Sequence, residues 1–225
     1  YDVLSFSAGT YYMMAIKTDG SLWAWGNNQY GQFGDEKNSP AKIMDKVAFI
    51  SAGAQYAMAI KTDGSLWSWG YNYHGELGDG TTVNRDLPVK IMDDVAYVSA
   101  GWNHTMAIKT DGSLWAWGDN SHGQLGDGTR ADRKLPVKIM DDVLSVSVGA
   151  GGMHTVIIKT DGSLWSWGYN SCGQLGDGTI TNRHSPVKIM DNVIFASAGE
   201  AHTMAMKADG SLWAWGDNSY GQLEL

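Results

Sequence analysis

Among its 225 residues the chain has one cysteine, Cys172, and four prolines. A lone thiol cannot build a disulfide scaffold or a cysteine-rich metal site. Lys and Arg number 16 against 24 acidic residues, a formal net charge of -8, and no basic cluster stands out. A grip on nucleic acid needs Lys and Arg to displace phosphate counterions, so no nucleic-acid partner is expected. No apolar run approaches the ~18–20 residues that carry a helix across a bilayer, so no membrane insertion is expected. The first residues, Tyr1-Asp2-Val3-Leu4, lack a signal-peptide layout, so a targeting segment is expected to be absent or already removed. Length alone allows one domain or two, with roughly 70% of the unfolded surface available for burial. What the sequence has in surplus is 29 Gly and 11 Trp. That pairing points to short strands and tight turns.

The surplus is periodic. Asp-Gly recurs at Asp19-Gly20, Asp63-Gly64, Asp111-Gly112, Asp161-Gly162 and Asp209-Gly210, at spacings of 44, 48, 50 and 48. Each copy follows Lys-Thr (Lys207-Ala208 in the last) and precedes Ser-Leu-Trp, then Ala or Ser, then Trp-Gly. Residues 107–129 and 157–179 differ at only four of 23 positions. In the unit 95–142, Val95–Ala100 and His104–Lys109 read as strands, and Thr110-Asp111-Gly112-Ser113 as the turn after them. Asp-Gly accepts the positive φ angles that tight hairpins need. Leu114-Trp115-Ala116-Trp117 alternates with period two, a third strand. Pro136–Met140 reads as a fourth, its Pro placed where no central ladder bond is lost. No part of this unit holds a 3.6-residue period long enough for a helix. Four short strands in about 48 residues is the signature of a propeller blade.

Segments such as Gly112-Ser113-Leu114-Trp115-Ala116-Trp117-Gly118-Asp119-Asn120-Ser121-His122-Gly123-Gln124-Leu125-Gly126 and Val98-Ser99-Ala100-Gly101-Trp102-Asn103-His104-Thr105 resemble repeats of the regulator-of-chromosome-condensation family. The resemblance covers essentially the whole chain and recurs five times. It implies an all-β propeller, usually of about seven blades. It implies no single activity, because family members include a GTPase exchange factor, a plant UV-B photoreceptor and a β-lactamase inhibitor, and a shared fold does not transfer a function. Gly101-Trp102-Asn103-His104-Thr105 is similar to a Gly-Trp-Arg-His-Thr motif of the photoreceptor, but it occurs once and has Asn103 in place of the switching Arg. The Trp-Ala-Trp-Gly wording resembles bacterial members, often parts of longer secreted or surface proteins, which favours that location over a cytoplasmic one.

The expected architecture is one domain, 1–225, of about five blades: units 3–46, 47–94, 95–142, 143–192 and an incomplete 193–225. The first three strands occur five times (3–25, 47–69, 95–117, 143–167, 193–215). The fourth occurs four times: Pro40–Met44, Pro88–Met92, Pro136–Met140 and Pro186–Met190. One blade is therefore a strand short. Three readings are open: a compact five-blade ring with one three-stranded blade, a fragment of a longer ring, or an arc whose ends another copy of the chain completes. The near-identity of the units also suggests recent amplification or deliberate construction.

The loops after strands one and three should share one face, with the Lys-Thr-Asp-Gly-Ser turn on the other. The turn hardly varies, whereas the loops do, and they are rich in Tyr, His, Trp and Asn. Such side chains give contact area at low entropy cost. Tyr11, Tyr30, Tyr71, Tyr73, His74, Trp102, His122, Tyr169 and Tyr220 are the candidate partner-binding residues, for a protein or, as the alternative ligand, a carbohydrate. The bland alternative is neutral loop tips on a structural or engineered repeat with no specific partner. The pairs Trp23/Trp25, Trp67/Trp69, Trp115/Trp117, Trp165/Trp167 and Trp213/Trp215 recur in every unit and are expected to fill the space between blades.

His104, His154 and His202 share a position with Tyr12 and Tyr56, which fits a structural aromatic better than a metal ligand. His74 and His122 share theirs with Tyr30, Cys172 and Tyr220, with no carboxylate recurring beside them at ligand spacing. No metal and no cofactor is expected. Gly-Asp-Gly-Thr at 78–81, 126–129 and 176–179 lacks the alternating ligands of a calcium loop and reads as a turn. Arg85, Arg133 and Arg183 precede the fourth strand and are expected to tie blade to linker. No catalytic residues are assigned: the inner strands carry Ser, Ala, Gly and Val, and Cys172 has no evident activating base. The leading reading is a non-enzymatic scaffold, with exchange-factor or enzymatic work as lesser alternatives.

Overall fold

The computed structural model describes residues 2–30, 39–149 and 151–224; Tyr1, Ala150 and Leu225, which figured in the sequence reading, lie outside them. Blade 1 comprises β1 (Val3–Ala8), β2 (Tyr12–Lys17), β3 (Leu22–Gly26) and β4 (Ala41–Met44). Blade 2 comprises β5 (Val47–Ala52), β6 (Tyr56–Lys61), β7 (Leu66–Gly70) and β8 (Arg85–Met92). Blade 3 has β9 (Val95–Ala100), β10 (His104–Lys109), β11 (Leu114–Gly118) and β12 (Arg133–Met140). Blade 4 has β13 (Val143–Val148), β14 (His154–Lys159), β15 (Leu164–Gly168) and β16 (Arg183–Met190). Blade 5 has three strands, β17 (Val193–Ala198), β18 (His202–Lys207) and β19 (Leu212–Gly216). Each sheet is an antiparallel meander in chain order. It follows that the loops after strands one and three leave one edge of every blade and the Asp-Gly turns leave the other. No helix long and apolar enough to cross a membrane occurs among the described residues.

Local chemistry explains the repetition. In the Asp-Gly turns Gly20, Gly64, Gly112, Gly162 and Gly210 take φ between +78° and +86°, where a Cβ is penalised. The preceding Asp fixes the turn from its side chain: Ser21 donates its amide and hydroxyl to Asp19 Oδ1 at 2.9 and 2.6 Å, and Trp23 Nε1 donates to Ser21 Oγ at 2.9 Å. The hydroxyl and amide of Ser21 hold the Asp19 carboxyl below its ordinary range.

The turn from β4 to β5 puts Lys46 at φ +61°, where the later blades have Asp94, Asp142 and Asn192 at +62° to +63°. A branched-backbone penalty of this kind is least for Asn and Asp and larger for Lys. Lys46→Gly should therefore raise stability by about 0.5 kcal/mol, the relief being partly offset by unfolded-state entropy. A urea midpoint that falls on this substitution would contradict that account of the turn.

The fourth strand begins earlier than the sequence suggested. β8, β12 and β16 start at Arg85, Arg133 and Arg183 rather than at the Pro. Pro is accommodated inside the strand because this is the outer edge of the blade, with a register shift between Gly168–Arg183 and Ser166–Val187. Each Arg grips the Asp of its own Gly-Asp-Gly-Thr turn: Arg85 Nε to Asp79 Oδ2 at 2.7 Å, Arg133 to Asp127 and Arg183 to Asp177 at 2.6 Å.

Neighbouring blades pack through their inner strands and share apolar clusters. Tyr12, Met14, Ile16 and Leu22 of blade 1 meet Ile50, Ala57, Ala59 and Trp69 of blade 2. The pattern is repeated by Met58 and Leu66 with Val98 and Trp117, by Met106 and Leu114 with Val146 and Trp167, and by Val156 and Leu164 with Ala205 and Trp215. Polar clamps align each junction. Ser7, Ser51, Ser99 and Ser147 accept at Oγ the amides of Ala52, Ala100, Val148 and Ala198 in the next blade at 2.9–3.3 Å. Tyr12 donates its hydroxyl to the Tyr56 carbonyl, and Tyr56 in turn donates to the His104 carbonyl at 2.6 Å.

Among the described residues, blades 1 and 5 share no packing of the kind that joins neighbours. Val3, Leu4 and Phe6 at one end, and Phe195, Met206, Leu212 and Trp213 at the other, are exposed. The compact five-blade ring closed within one chain is thus not what forms. Among the described residues the blades make an open arc, with these apolar ends uncovered.

Candidate functional site

The loop face is built by the loops that follow the first and third strands of each blade. Three glycine-rich loops are rigid, because one Asn anchors each. Asn72 Oδ1 accepts the Leu77 amide at 3.0 Å, and its Nδ2 reaches Asp79, Thr81 and Val83. Asn120 and Asn170 repeat this in blades 3 and 4. The loops then lock onto the following blade. Glu76, Gln124 and Gln174 offer backbone carbonyls to Trp117, Trp167 and Trp215 Nε1 at 2.8–2.9 Å. Trp69, Trp117 and Trp167 are wholly buried, while Trp25 and Trp215 are half-buried. The other member of each pair lies beside its own turn, half-buried for Trp23, Trp67, Trp115 and Trp165 and exposed for Trp213. Lys17, Lys61 and Lys207 sit 4.0–5.1 Å over the rings of Trp23, Trp67 and Trp213.

On this frame the aromatic residues of the face group in two places. Tyr30 meets Tyr71 edge-on with ring centres 5.0 Å apart, Tyr71 stacks on Tyr73 at 6.5 Å, and Tyr73 meets His74 at 5.1 Å. These four make a ridge running from blade 1 across blade 2. His122 and Tyr169 pair at 4.8 Å across blades 3 and 4. That pair borders a shallow groove completed by Gly151, Met153, Glu200 and Ala201. Tyr11 and Trp102 are exposed, as is Tyr220, 94% accessible beside a second groove of Glu200, His202, Asp217 and Gln222. Tyr11, Trp102 and Tyr220 belong to neither group.

Charges also converge here. His74 Nδ1 lies 3.0 Å from Asp132 Oδ2, and Asp119 is close enough for all three groups to lie within 4.8 Å of one another. Burial works against a charge on His74, but the Asp132 bond and the nearby Asp119 and Glu76 raise its pKa on balance. The carboxylates are committed: Asp119 holds Ser121 and Gln124, and Asp132 holds the Asn120 amide as well as His74. The trio thus bridges blades 2 and 3 through the His74–Asp132 hydrogen bond, with Asp119 nearby. No spacing within a repeat unit signals it, because Asp132 is 58 residues from His74.

Glu76 is the other residue the repeat pattern concealed. It is buried, its Oε2 accepts the His74 amide at 2.9 Å, and its Oε1 has no partner among the described residues. Burial pushes its carboxyl up to about 7, against the lowering effect of the Glu76 and His74 amides. Gln124 and Gln222, in its place in blades 3 and 5, satisfy their amides on Asp119 and Asp217 at 2.8 and 2.9 Å. In blade 4, Tyr169 stands where those Asp residues stand, and Gln174 Nε2 is unpartnered. Tyr71 puts Glu76 in the same situation, with an acid instead of an amide.

His104 and His154 are enclosed between blades, and burial pushes their pKa values down to about 4 and about 3. His154 Nε2 meets Thr203 Oγ1 at 2.9 Å. On the strand-one surface, Tyr97, Leu144, Ser145, Ser147, Phe195 and Ser197 line a recess. Cys172 is exposed, with Ser171 Oγ 3.7 Å from its sulfur.

A family model described as the RCC1-like domain matches residues 1–225. Among the curated proteins none matches. Among solved structures, human WBSCR16 superposes with a TM-score of 0.85 at 23% identity, covering 98% of this chain and 63% of that one. The chain thus spans less than two thirds of that protein's length. Yeast RCC1 (Prp20) bound to Kap60 gives a TM-score of 0.59 at 19% identity, covering 96% of this chain and 70% of that one. Prp20p from Saccharomyces cerevisiae, described with its binding properties to Gsp1p and histones, gives 0.57 at 19%, covering 95% and 72%. At these identities the likeness is one of fold.

Proposed function

Since the chain belongs to the RCC1-like domain family, we propose that it is a non-catalytic scaffold that binds a protein partner through its loop face. RCC1-like propeller domains generally serve as binding scaffolds, and the yeast relative has been seen with a protein, Kap60, bound. The observation that carries the reading is the aromatic ridge Tyr30–Tyr71–Tyr73–His74, its blade-2 part set on a loop held by Asn72 and bonded to blade 3 through Trp117. Tyr73 is 68% accessible although it touches two other rings. A preformed aromatic surface loses little conformational freedom on binding, so more of its contact energy appears as affinity. The turns of the opposite face repeat one wording and offer nothing selective.

The test compares Tyr73→Ala combined with Trp102→Ala against Thr110→Ala on the opposite face. Captured partners are identified by mass spectrometry and their affinity is then measured. The loop-face pair should weaken binding at least tenfold, with the thermal midpoint unchanged and Thr110→Ala neutral. Equal affinity in all three proteins would reject the loop face. Binding to a glycan array in place of a protein would move the partner to the carbohydrate class.

A further inference from the structure

Where the aromatic ridge ends, at the junction of blades 2 and 3, the repeat departs from its own pattern. Three places in the repeat are held by Tyr30, Tyr71 and Asn84 for blades 1 and 2, and by His122, Tyr169 and Asn182 for blades 3 and 4. For blades 2 and 3 they are held by His74, Asp119 and Asp132. Ligand atoms of these three lie within 4.8 Å of one another. Among the described residues no other three His, Cys, Asp or Glu side chains converge in this way.

The fold does not require the two carboxylates. Asn84 and Asn182 do the local work of Asp132. Each accepts at Oδ1 the amide of the anchoring Asn, at 3.0 and 2.9 Å, as Asp132 does for Asn120 at 2.9 Å. What Asp132 adds is an anionic Oδ2, 3.0 Å from His74 Nδ1. In the next junction an amide nitrogen of Asn182 stands 3.3 Å from His122 Nδ1 instead. Tyr71 and Tyr169 take the place of Asp119 in loops anchored by the same Asn. Both acids are thus additions to a loop that closes without them, and both converge on one imidazole.

They are also oriented as metal ligands are, by hydrogen bonds from behind. Ser121 and Gln124 hold Asp119, and the Asn120 amide holds Asp132. A carboxylate has about four lone-pair sites, so these bonds leave each one able to coordinate. Glu76 adds a third acid: it accepts the His74 amide, its influence reaches both His74 and Asp119, and its Oε1 has no partner among the described residues.

We propose that His74, Asp119 and Asp132 bind a divalent transition-metal ion of the Zn2+ class, which clamps blade 2 to blade 3. The ion takes the place of the proton between His74 Nδ1 and Asp132 Oδ2, and the ring keeps a proton on Nε2. Metal–ligand bonds of about 2.0–2.2 Å set donor atoms roughly 3–4 Å apart, a small adjustment from the present geometry. Water completes the coordination on the open side, where the side chains of His74 and Asp132 are 30% and 38% accessible. One imidazole with two carboxylates suits Zn2+, whereas Ca2+ takes oxygen ligands. The expectation of no metal rested on ligand spacing within a unit, and here both carboxylates come from the next blade. The assignment does not depend on the scaffold reading.

The full chain, stripped with EDTA and desalted, is titrated with Zn2+ by calorimetry. Asp132→Asn installs the residue that blades 2 and 4 already carry, so the loop should close as before. His74→Ala removes the imidazole, and His122→Ala is the control. The wild type and His122→Ala should bind a single Zn2+ with equal affinity, and the other two variants at least tenfold more weakly. Imidazole nitrogen NMR should show a Zn2+-induced shift at His74 alone. No saturation up to about 1 mM Zn2+, equal affinity in every variant, or a shift centred on another histidine would each overturn the assignment. So would displacement of Zn2+ by an equal concentration of Ca2+.

Discussion

Trp117→Ala should cost about 4 kcal/mol of unfolding free energy, and Trp25→Ala about 1 kcal/mol. The two residues hold the same place in the repeat. Trp117 is fully buried, packs with Tyr56, Met58 and Val98, and donates to the Glu76 carbonyl at 2.8 Å. Its indole lies so close to Gly78 that a Cβ there would come within 2.8 Å of Nε1. The Glu76 carbonyl keeps a second donor, Thr105 Oγ1 at 3.0 Å, so the loss is mainly that of a filled space. Trp25 is only half-buried, and among the described residues no other blade packs on its side. In a linear array each unit is stabilised by its neighbours. Cutting the junction between blades 2 and 3 should therefore also lower the urea m-value as the arc melts in parts. Similar losses from the two substitutions would show that the second Trp works within its own blade.

Glu76→Gln should stabilise the protein above neutral pH and leave it unchanged near pH 4. The acid's pKa rises on folding from an ordinary 4.5 to about 7. The folded state therefore holds the proton more tightly. This contribution is complete below pH 4.5, declines as pH rises, and is lost above about pH 7. At about 1.4 kcal/mol per pH unit, the wild type should give up as much as about 3 kcal/mol relative to the variant across that window. His104 and His154 act in the opposite sense. Their depressed pKa values favour the fold above pH 6.5 and count against it as pH falls towards about 4 and about 3. Comparing variant with wild type at each pH cancels His104 and His154 and leaves Glu76 together with the His74 it interacts with. A difference in stability that stays flat from pH 4 to pH 9 would show that folding leaves the Glu76 carboxyl at its ordinary pKa.

Much of the fold is legible in the sequence because each blade states it again. Asp19-Gly20 and its four copies fix the turns, and the Trp-x-Trp strands follow at constant register. The short count of fourth strands locates the open edge of blade 5. What sequence reasoning missed lies across junctions. Asp132 comes to His74 only because blade 3 packs on blade 2, and no spacing within a unit encodes that. Glu76 differs from Gln124 by a single group, and its raised pKa comes from a burial that composition does not reveal. The extra turn of strand at Arg85, Arg133 and Arg183 was hidden because Pro looked like a start, although an outer edge tolerates it inside. The open arc was one of three readings because curvature belongs to packing angles rather than to residue order. On the loop face, the aromatic types are visible in the sequence, while the choice of Tyr30, Tyr71, Tyr73 and His74 as one ridge needed coordinates.

The junctions between blades 2 and 3, 3 and 4, and 4 and 5 each have two unlike halves. The earlier blade presents a serine hydroxyl and a loop carbonyl, and the later one presents an amide and an indole, as Ser51 with Ala100 and Glu76 with Trp117 show. Blades 3 and 4 each carry both halves, one on each side. A stretch of the coding sequence duplicated in frame would therefore arrive with its plug and its socket already matched. Lengthening such a chain requires no new recognition chemistry, and the limit on its growth is set by the space left in the circle.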